Sequence, residues 1–274
     1  MLSIIICSRD GHLPTEQAEN IAATVGCDHE LVVIDNSRGE YTLFSAYNEG
    51  VRRAKGDVLC FRHDDIMHRS QGWGQVATDL LQDETIGLVG VGGCHFLPSA
   101  PAYWSQSPYL SIYNIDNDNG TLREKDVNFY YRDGVADVVA VDGQLFFIPK
   151  RLFDRIAFDE QTYEAWHGYD MDISLQVQAL GLRAVVTRRM LNEHRWSESK
   201  WNDPRTMEPL YRATVRFYNK WKASLPMVRG IDKPQFELDQ LNELWRGYAN
   251  YQNISRSKPY RLGQKLLSPL KLLK

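Results

Sequence analysis

Short apolar runs recur along the chain, and each ends in a polar break. Residues 3–7 form such a run, followed by Ser8-Arg9-Asp10-Gly11, which predicts a buried strand that leaves its sheet into a loop. Across 14–25 the period changes: Ala18, Ile21, Ala22 and Val25 return at helical spacing and mark one apolar face. Residues 31–34 are a second strand, stopped by Asp35-Asn36-Ser37. Strand, helix and strand make a βαβ unit, whose crossover is right-handed and whose strands are parallel. The pattern repeats: Phe44, Tyr47, Val51 and Ala54 mark a helix, Gly56 stops it, and 57–61 is a strand ending in His63-Asp64-Asp65. Three strands thus deliver polar loops to one edge, and in an open α/β sheet the carboxyl ends of strands line the ligand crevice.

Downstream, Ser70 is placed to cap a helix carrying Trp73, Val76, Ala77, Leu80 and Leu81, and 87–91 reads as a strand. Periodicity fades over 92–133, a region of aromatics, Asn and Pro with one clear signal, the hairpin turn Asn119-Gly120 between 111–115 and 121–125. It reads as a surface excursion, or, through Tyr103, Trp104 and Tyr109, as a face turned to a substrate. Residues 137–141 and 144–148 are strands broken at Asp142-Gly143, and Pro149 suits the first turn of a short helix. Trp166-His167-Gly168-Tyr169-Asp170-Met171-Asp172 leads into a helix marked by Ile173, Val177 and Leu180 and closed by Gly181. A strand at 183–187, a polar stretch at 192–196 and a long amphipathic helix from Met207 to Trp221 follow. Beyond Pro226 and Pro234, Leu238, Leu241, Trp245 and Tyr248 predict a last helix.

Composition narrows the class. A chain of 274 residues with 43% hydrophobic and 24% charged residues is ordinary globular protein, which excludes disordered and fibrous classes. A net charge of -3 gives no drive toward nucleic acid. Cys7, Cys27, Cys60 and Cys94 lie far apart and read as buried reduced thiols, without the spacing of a zinc site or the density of a disulfide scaffold. The amino terminus lacks a basic n-region, and no apolar run approaches the ~20 residues of a membrane span. The expectation is a cytoplasmic protein, soluble or peripheral on the inner face of the plasma membrane.

Candidate chemistry gathers at the strand ends. Adjacent carboxylates such as Asp64 and Asp65 raise each other's pKa unless a cation neutralises them, and a hard divalent ion holding phosphate oxygens suits that place; a solvated acidic turn is the plainer alternative. Asp170 and Asp172 open a helix, where acidic residues are favoured by the dipole, so they read as caps or as carboxylates facing the crevice. His194 reads as a satisfied histidine or as a ligand.

Taken in order, IIICSR, VVIDNS, YNEGVRRAKGDVLCFRHDDI, VDGQLFFIPKRLF with FDE, HGYDMDISLQVQALGLRAVV and NEHRW resemble the nucleotide-sugar glycosyltransferases of the GT-A fold, family 2, in the subgroup with a histidine before the acidic pair. The resemblance implies an α/β GT-A (Rossmann-like) fold: a mixed, mainly parallel sheet flanked by helices, with a helical C-terminal extension. It spans roughly Leu2 to Trp196, and the chain is expected to divide into a catalytic domain at 1–222 and a helical extension with a basic tail at 223–274. It places Cys7 and Arg9 beside the nucleotide and Asp35 on its base or ribose, and it matches Asn48 and Gly50 to the loop-helix signature before the metal strand. Asp64 and Asp65 stand for the Asp-x-Asp motif that holds Mg²⁺ or Mn²⁺ on the diphosphate, with Asp65 the first choice of ligand. His63 occupies a position often held by Asp, and Tyr169 one more commonly held by Glu. Asp170 matches the general base of inverting members, with Asp172 its alternate, and His194 a histidine that completes the metal or diphosphate shell.

The implied reaction moves a sugar from a nucleoside-diphosphate sugar to a hydroxyl of a glycan or lipid-linked acceptor, in bacterial surface glycan synthesis. The residue types suit it: charge builds on the departing phosphate, where a cation, His194 or Arg9 stabilises it, and a carboxylate takes the acceptor proton. Two competing readings are a sugar-nucleotide pyrophosphorylase, which needs a glycine-rich loop that CSRDGHLP does not supply, and a non-catalytic carbohydrate- or nucleotide-binding module. In 256–274, Arg256, Lys258, Arg261, Lys265, Lys271 and Lys274 meet no acidic residue, and Leu262, Leu266, Leu267 and Leu270 share a face if helical. This tail either packs on the enzyme or attaches to anionic lipid.

Overall fold

The computed structural model describes residues 1–128, 131–195, 204–232 and 236–237. Contacts divide the chain into two compact units, Met1–Gly230 and Ile231–Lys274. The expected helix around Leu238 to Tyr248 and the basic tail lie outside the described residues.

In the first unit, β1 (Leu2–Ser8) is the axis. All its residues are buried, and they alternate: Ile5 and Cys7 join one core, Leu2, Ile4 and Ile6 the other. A strand buried on both faces belongs inside a sheet covered by helices on either side. β2 (His29–Asp35) and β3 (Val58–Arg62) flank it in parallel register, reached through α1 (Thr15–Thr24) and α2 (Leu43–Arg53). A capping box starts α2, with the Ser45 N–H donating to Thr42 Oγ1 at 3.1 Å. Close packing needs Gly50, since a Cβ there would lie 2.2 Å from Ile5 Cγ2.

The chain continues through β4 (Ile66–His68), α3 (Trp73–Leu80), β5 (Ile86–Gly90), β6 (Gly92–Cys94), β7 (Phe96–Leu97), β8 (Leu110–Asp118) and β9 (Thr121–Asn128). Then come β10 (Val135–Val138), β11 (Ala140–Val141), β12 (Leu145–Pro149), α4 (Tyr169–Ala179), β13 (Arg183–Thr187), β14 (Asn192–Arg195), α5 (Pro204–Trp221) and β15 (Met227–Val228). One sheet runs β10-β13-β5-β12-β3-β1-β2, a second runs β11-β6-β8-β14-β4 with β9 on β8, and β15 pairs with β7. In the first sheet β1, β2, β3, β5 and β13 point one way, and β12 and β10 oppose them. This is the mixed α/β sheet flanked by helices that the resemblance implies: Ile21, Trp73 and Ala77 pack on one face, Phe44, Ile173 and Phe217 on the other.

Four times the chain passes from the first sheet to the second: through 63–65, Val91, Val139 and 188–191. These crossings explain three departures from the sequence-based expectation. The single strand expected at 137–141 is two strands in different sheets. The stretch 92–133 is no surface excursion but supplies β6, β8 and β9 of the second sheet, with Trp104 and Tyr109 buried. Ser70 does not cap α3: its hydroxyl accepts the Leu191 N–H at 2.6 Å, tying the β4 exit to β14, and Gly72 at φ +70° leads the helix. Cys7, Cys60 and Cys94 are buried free thiols, whereas Cys27 is only half-buried.

Candidate active site

At the carboxyl ends of β1 and β3 the first sheet meets the second, and a cavity of about 590 Å³ opens there. Its floor is the turn His63-Asp64-Asp65. Beneath that turn lies a buried cation: Arg62 Nη2 donates to Gln17 Oε1 at 3.0 Å and to the Ile66 carbonyl at 2.5 Å, and Gln17 Nε2 donates to the Asp64 carbonyl at 2.5 Å. The Asp64 carbonyl of the turn and the Ile66 carbonyl at the start of β4 are thereby fixed from below. Burial pushes Arg62 down to about 10, yet the charges of Asp65 and Asp64 favour its ionised form.

Above the floor the two carboxylates separate. Arg9 grips Asp64 bidentately, at 2.9 Å through Nε and 2.7 Å through Nη2, with its own backbone N–H adding a bond at 3.2 Å. Asp65 stands between two cations, with Oδ2 3.6 Å from Arg9 Nη2 and Oδ1 3.4 Å from His194 Nε2. His194 Nε2 is also 3.3 Å from His63 Nδ1, so one carboxylate oxygen and two imidazole nitrogens converge within 4.8 Å of one another. Burial by itself raises Asp65, but the His194 contact, with His63 and Arg9 behind it, outweighs burial and holds the carboxyl below the usual range. Burial lowers His63 to about 4, aided by His194, so its ring is neutral with a lone pair to offer. Burial also opposes charge on His194, but Asp65 prevails and raises its pKa.

This donor set fits a divalent cation. Asp65 Oδ1 is buried and accepts no hydrogen bond, and mixed imidazole and carboxylate ligands suit Mn²⁺ better than an all-oxygen ion. His63, which the resemblance marks only as a departure, joins the cluster. Its signal in sequence is position: it stands two residues before Asp65, the spacing of the outer members of an Asp-x-Asp motif.

Across the cavity, Gly168 at φ +91° leads into α4, which brings Asp170 to the wall. Asp170 is buried; it accepts the Met171 N–H at 2.9 Å and the Tyr103 hydroxyl at 3.1 Å. Burial first, and the neighbouring Asp142 charge second among the raising causes, push its carboxyl up to about 7. A carboxylate titrating near neutrality is suited to accept a proton. Asp172, one register step on, faces away: it accepts from Tyr163, Gln176 and Trp221 and pairs with Lys220 of α5 at 2.8 Å. Asp142, raised by burial, and Tyr103 also line the cavity; in sequence the first reads as a turn residue and the second, with Trp104 and Tyr109, as part of a face turned to a substrate.

Cys7, Arg9, Asp64, Asp65, Asp170 and His194 thus share one cavity. Burial, then the Asp64 charge, raise the Cys7 thiol to about 11, so it is an apolar wall rather than a nucleophile. Asp35 stands at the exposed end of β2, where Ser37 donates to it twice, and a Cβ on Gly11 would come within 2.8 Å of its Oδ1. Asn48 is not on the cavity wall. Its amide makes both bonds to the Phe158 backbone, at 2.8 and 3.1 Å, and pins α2 to the segment after β12.

The model of a family described as "Glycosyltransferase like family" matches residues 3–221. The chain belongs to that family. No curated protein matches this glycosyltransferase-like chain in sequence. Among solved structures it is similar to GalNAc-T7 with UDP, GalNAc and Mn²⁺, at 14% identity and TM-score 0.53, covering 82% of this chain and 51% of that one. The chain therefore spans about half of that protein's length, and the likeness concerns the fold. It is also similar to the mannosyltransferase PcManGT from Pyrobaculum calidifontis in complex with GDP-Man and Mn²⁺, at 14% identity and TM-score 0.46, covering 97% and 84%. Among the described residues no helix is long and apolar enough to cross a membrane.

Proposed function

We propose that this family member transfers a sugar, with inversion, from a nucleoside-diphosphate sugar to a hydroxyl of a glycan or lipid-linked acceptor, in bacterial surface glycan synthesis. The observation that carries the reading is the pairing, in one cavity, of the His63, Asp65 and His194 cluster with the buried, near-neutral carboxyl of Asp170.

Mn²⁺ or Mg²⁺ would be held by Asp65, His63 and His194, with Asp64 in reserve, and when bound supplies positive charge to the diphosphate leaving group. Arg9 adds a fixed cation at the same place and is itself oriented by Asp64. Cys7 and Asp35 flank the path of the nucleotide along β1 and β2, while Asn48 acts at one remove by fixing α2. Asp170 takes the acceptor hydroxyl's proton as the new glycosidic bond forms, and Tyr103 holds the carboxylate oriented. Asp172, saturated by four partners, has the structural part. We assign catalysis to 1–222 and membrane attachment to the basic tail, which brings the cavity to a lipid-linked acceptor.

Incubation of the purified protein with a panel of nucleotide sugars and Mn²⁺ tests this. Slow release of one nucleoside diphosphate, lost on chelation, is expected. A protein that binds and hydrolyses none of the panel, with or without metal, overturns the reading.

A further inference from the structure

His63 has two ring nitrogens and two neighbours. Nδ1 faces the cluster, 3.3 Å from His194 Nε2, and Nε2 lies 2.7 Å from the hydroxyl oxygen of Tyr169. A neutral imidazole carries one proton, and the partner of one nitrogen decides which nitrogen keeps a lone pair. If the phenol oxygen accepts an Nε2–H, Nδ1 is bare and points at the centre. If the phenol donates instead, the proton sits on Nδ1 and His63 is useless as a ligand.

Tyr169 is built to hold that position. Its ring is buried against Tyr47 at 5.6 Å and Phe44 at 6.1 Å, both edge-on, which fixes where the hydroxyl falls. The neighbouring turn leaves it room only because residue 143 is glycine: a Cβ there would lie 2.1 Å from the hydroxyl oxygen and 2.5 Å from Cζ. The chain's two departures from the pattern of the family it resembles, His63 and Tyr169, therefore meet in one hydrogen bond.

We propose that Tyr169 is the positioning residue for His63: its oxygen accepts the Nε2–H, fixes the tautomer, and presents Nδ1 to a divalent cation shared with Asp65 and His194. The proposal rests on the metal-binding reading above. Because Tyr169 is also the first residue of α4 and precedes Asp170, the same side chain couples the two halves of the site.

The test has three arms. Ring ¹⁵N spectra of the metal-free wild-type protein at neutral pH are expected to show His63 protonated on Nε2, a measurement that no variant can spoil. Titration with Mn²⁺ alone, followed by its EPR signal, is expected to show Tyr169→Phe binding roughly 10–100-fold more weakly than wild type, the usual worth of a hydrogen bond behind a metal-bound histidine. Gly143→Ala, which displaces the hydroxyl, is expected to weaken Mn²⁺ binding in the same direction. A proton on Nδ1 in the wild type, or a folded Tyr169→Phe that titrates like wild type, overturns the assignment. A wild-type protein that takes up no Mn²⁺ overturns the metal reading itself, and this proposal with it.

Discussion

Replacing Asp170 by Asn separates basicity from shape, and it moves stability and activity in opposite directions. The amide keeps the Met171 bond through its oxygen and turns its NH₂ toward the Tyr103 oxygen, so the wall is preserved. The wild-type carboxyl is raised from 3.8 to about 7 by burial and then by Asp142. Roughly three units at 1.36 kcal/mol each place the cost of ionising it in the fold on the order of 4 kcal/mol. A carboxyl whose folded pKa exceeds its unfolded value favours folding fully below the unfolded pKa and loses that contribution as pH rises through the folded one. The wild type thus gives up stability between about pH 4 and 7, and the Asn variant, with no proton to lose, does not. Thermal unfolding of the metal-free proteins at about pH 8 is expected to show Asp170→Asn melting higher, and the two converging at about pH 4. Initial rates reverse the order: wild-type kcat/KM rises with pH along a limb centred near 7, while the variant loses ~10²–10⁴-fold in transfer and the limb disappears. A variant that melts lower at about pH 8, or that transfers at wild-type rate, refutes the reasoning; retained transfer together with loss in Asp172→Asn moves the base two residues on.

Other substitutions probe the neighbours. Asp142→Asn removes a charge that raises Asp170, so the kinetic limb is expected to move to lower pH, read from the same rate profile. Asp65→Ala is expected to abolish metal-dependent binding of a nucleoside diphosphate in calorimetry while the melting curve stays cooperative. Asp172→Ala removes the buried acceptor of Tyr163, Gln176 and Trp221 and leaves Lys220 to Asp159 alone, and is expected to cost about 3 kcal/mol in denaturant unfolding, with turnover per folded molecule retained. The 274-residue chain is expected to sediment with anionic but not neutral vesicles, and a chain ending at Ser255 with neither; equal partitioning removes the membrane role.

The parts of this protein that sequence makes legible are those with a period. β1, β2 and β3, with α1 and α2 between them, follow from apolar runs and helical spacing, and the acidic turn follows from where β3 stops. The second sheet does not, because β4, β6 and β11 are two or three residues long, too short to show alternation. Gly93 marks one such place: a Cβ there would lie 2.4 Å from the Ala140 carbonyl, so the residue reports a close strand contact that reads in sequence as a loop. The site divides along the same line. Arg9, Asp65, Asp170 and His194 adjoin recognisable elements, whereas Asp142 gains its place from the way the strands cross between sheets, and Tyr103 and Tyr169 show their parts only in their contacts with Asp170 and His63.

Those crossings have a mechanical meaning. His63 and Asp65 occupy one crossing, His194 follows another by three residues, and Asp142 follows the strand begun after Val139. Ligand spacing is therefore inherited from short, taut lengths of main chain instead of from the fit of helices against the sheet. A site registered in this way resists loosening: a substitution that softens the packing of α3 or α5 costs melting temperature before it moves one donor atom relative to another, whereas α1 carries Gln17 and holds the turn directly. The same crossings tie the two sheets together around the cavity, whose wall the segments around Trp104 and Trp166 complete.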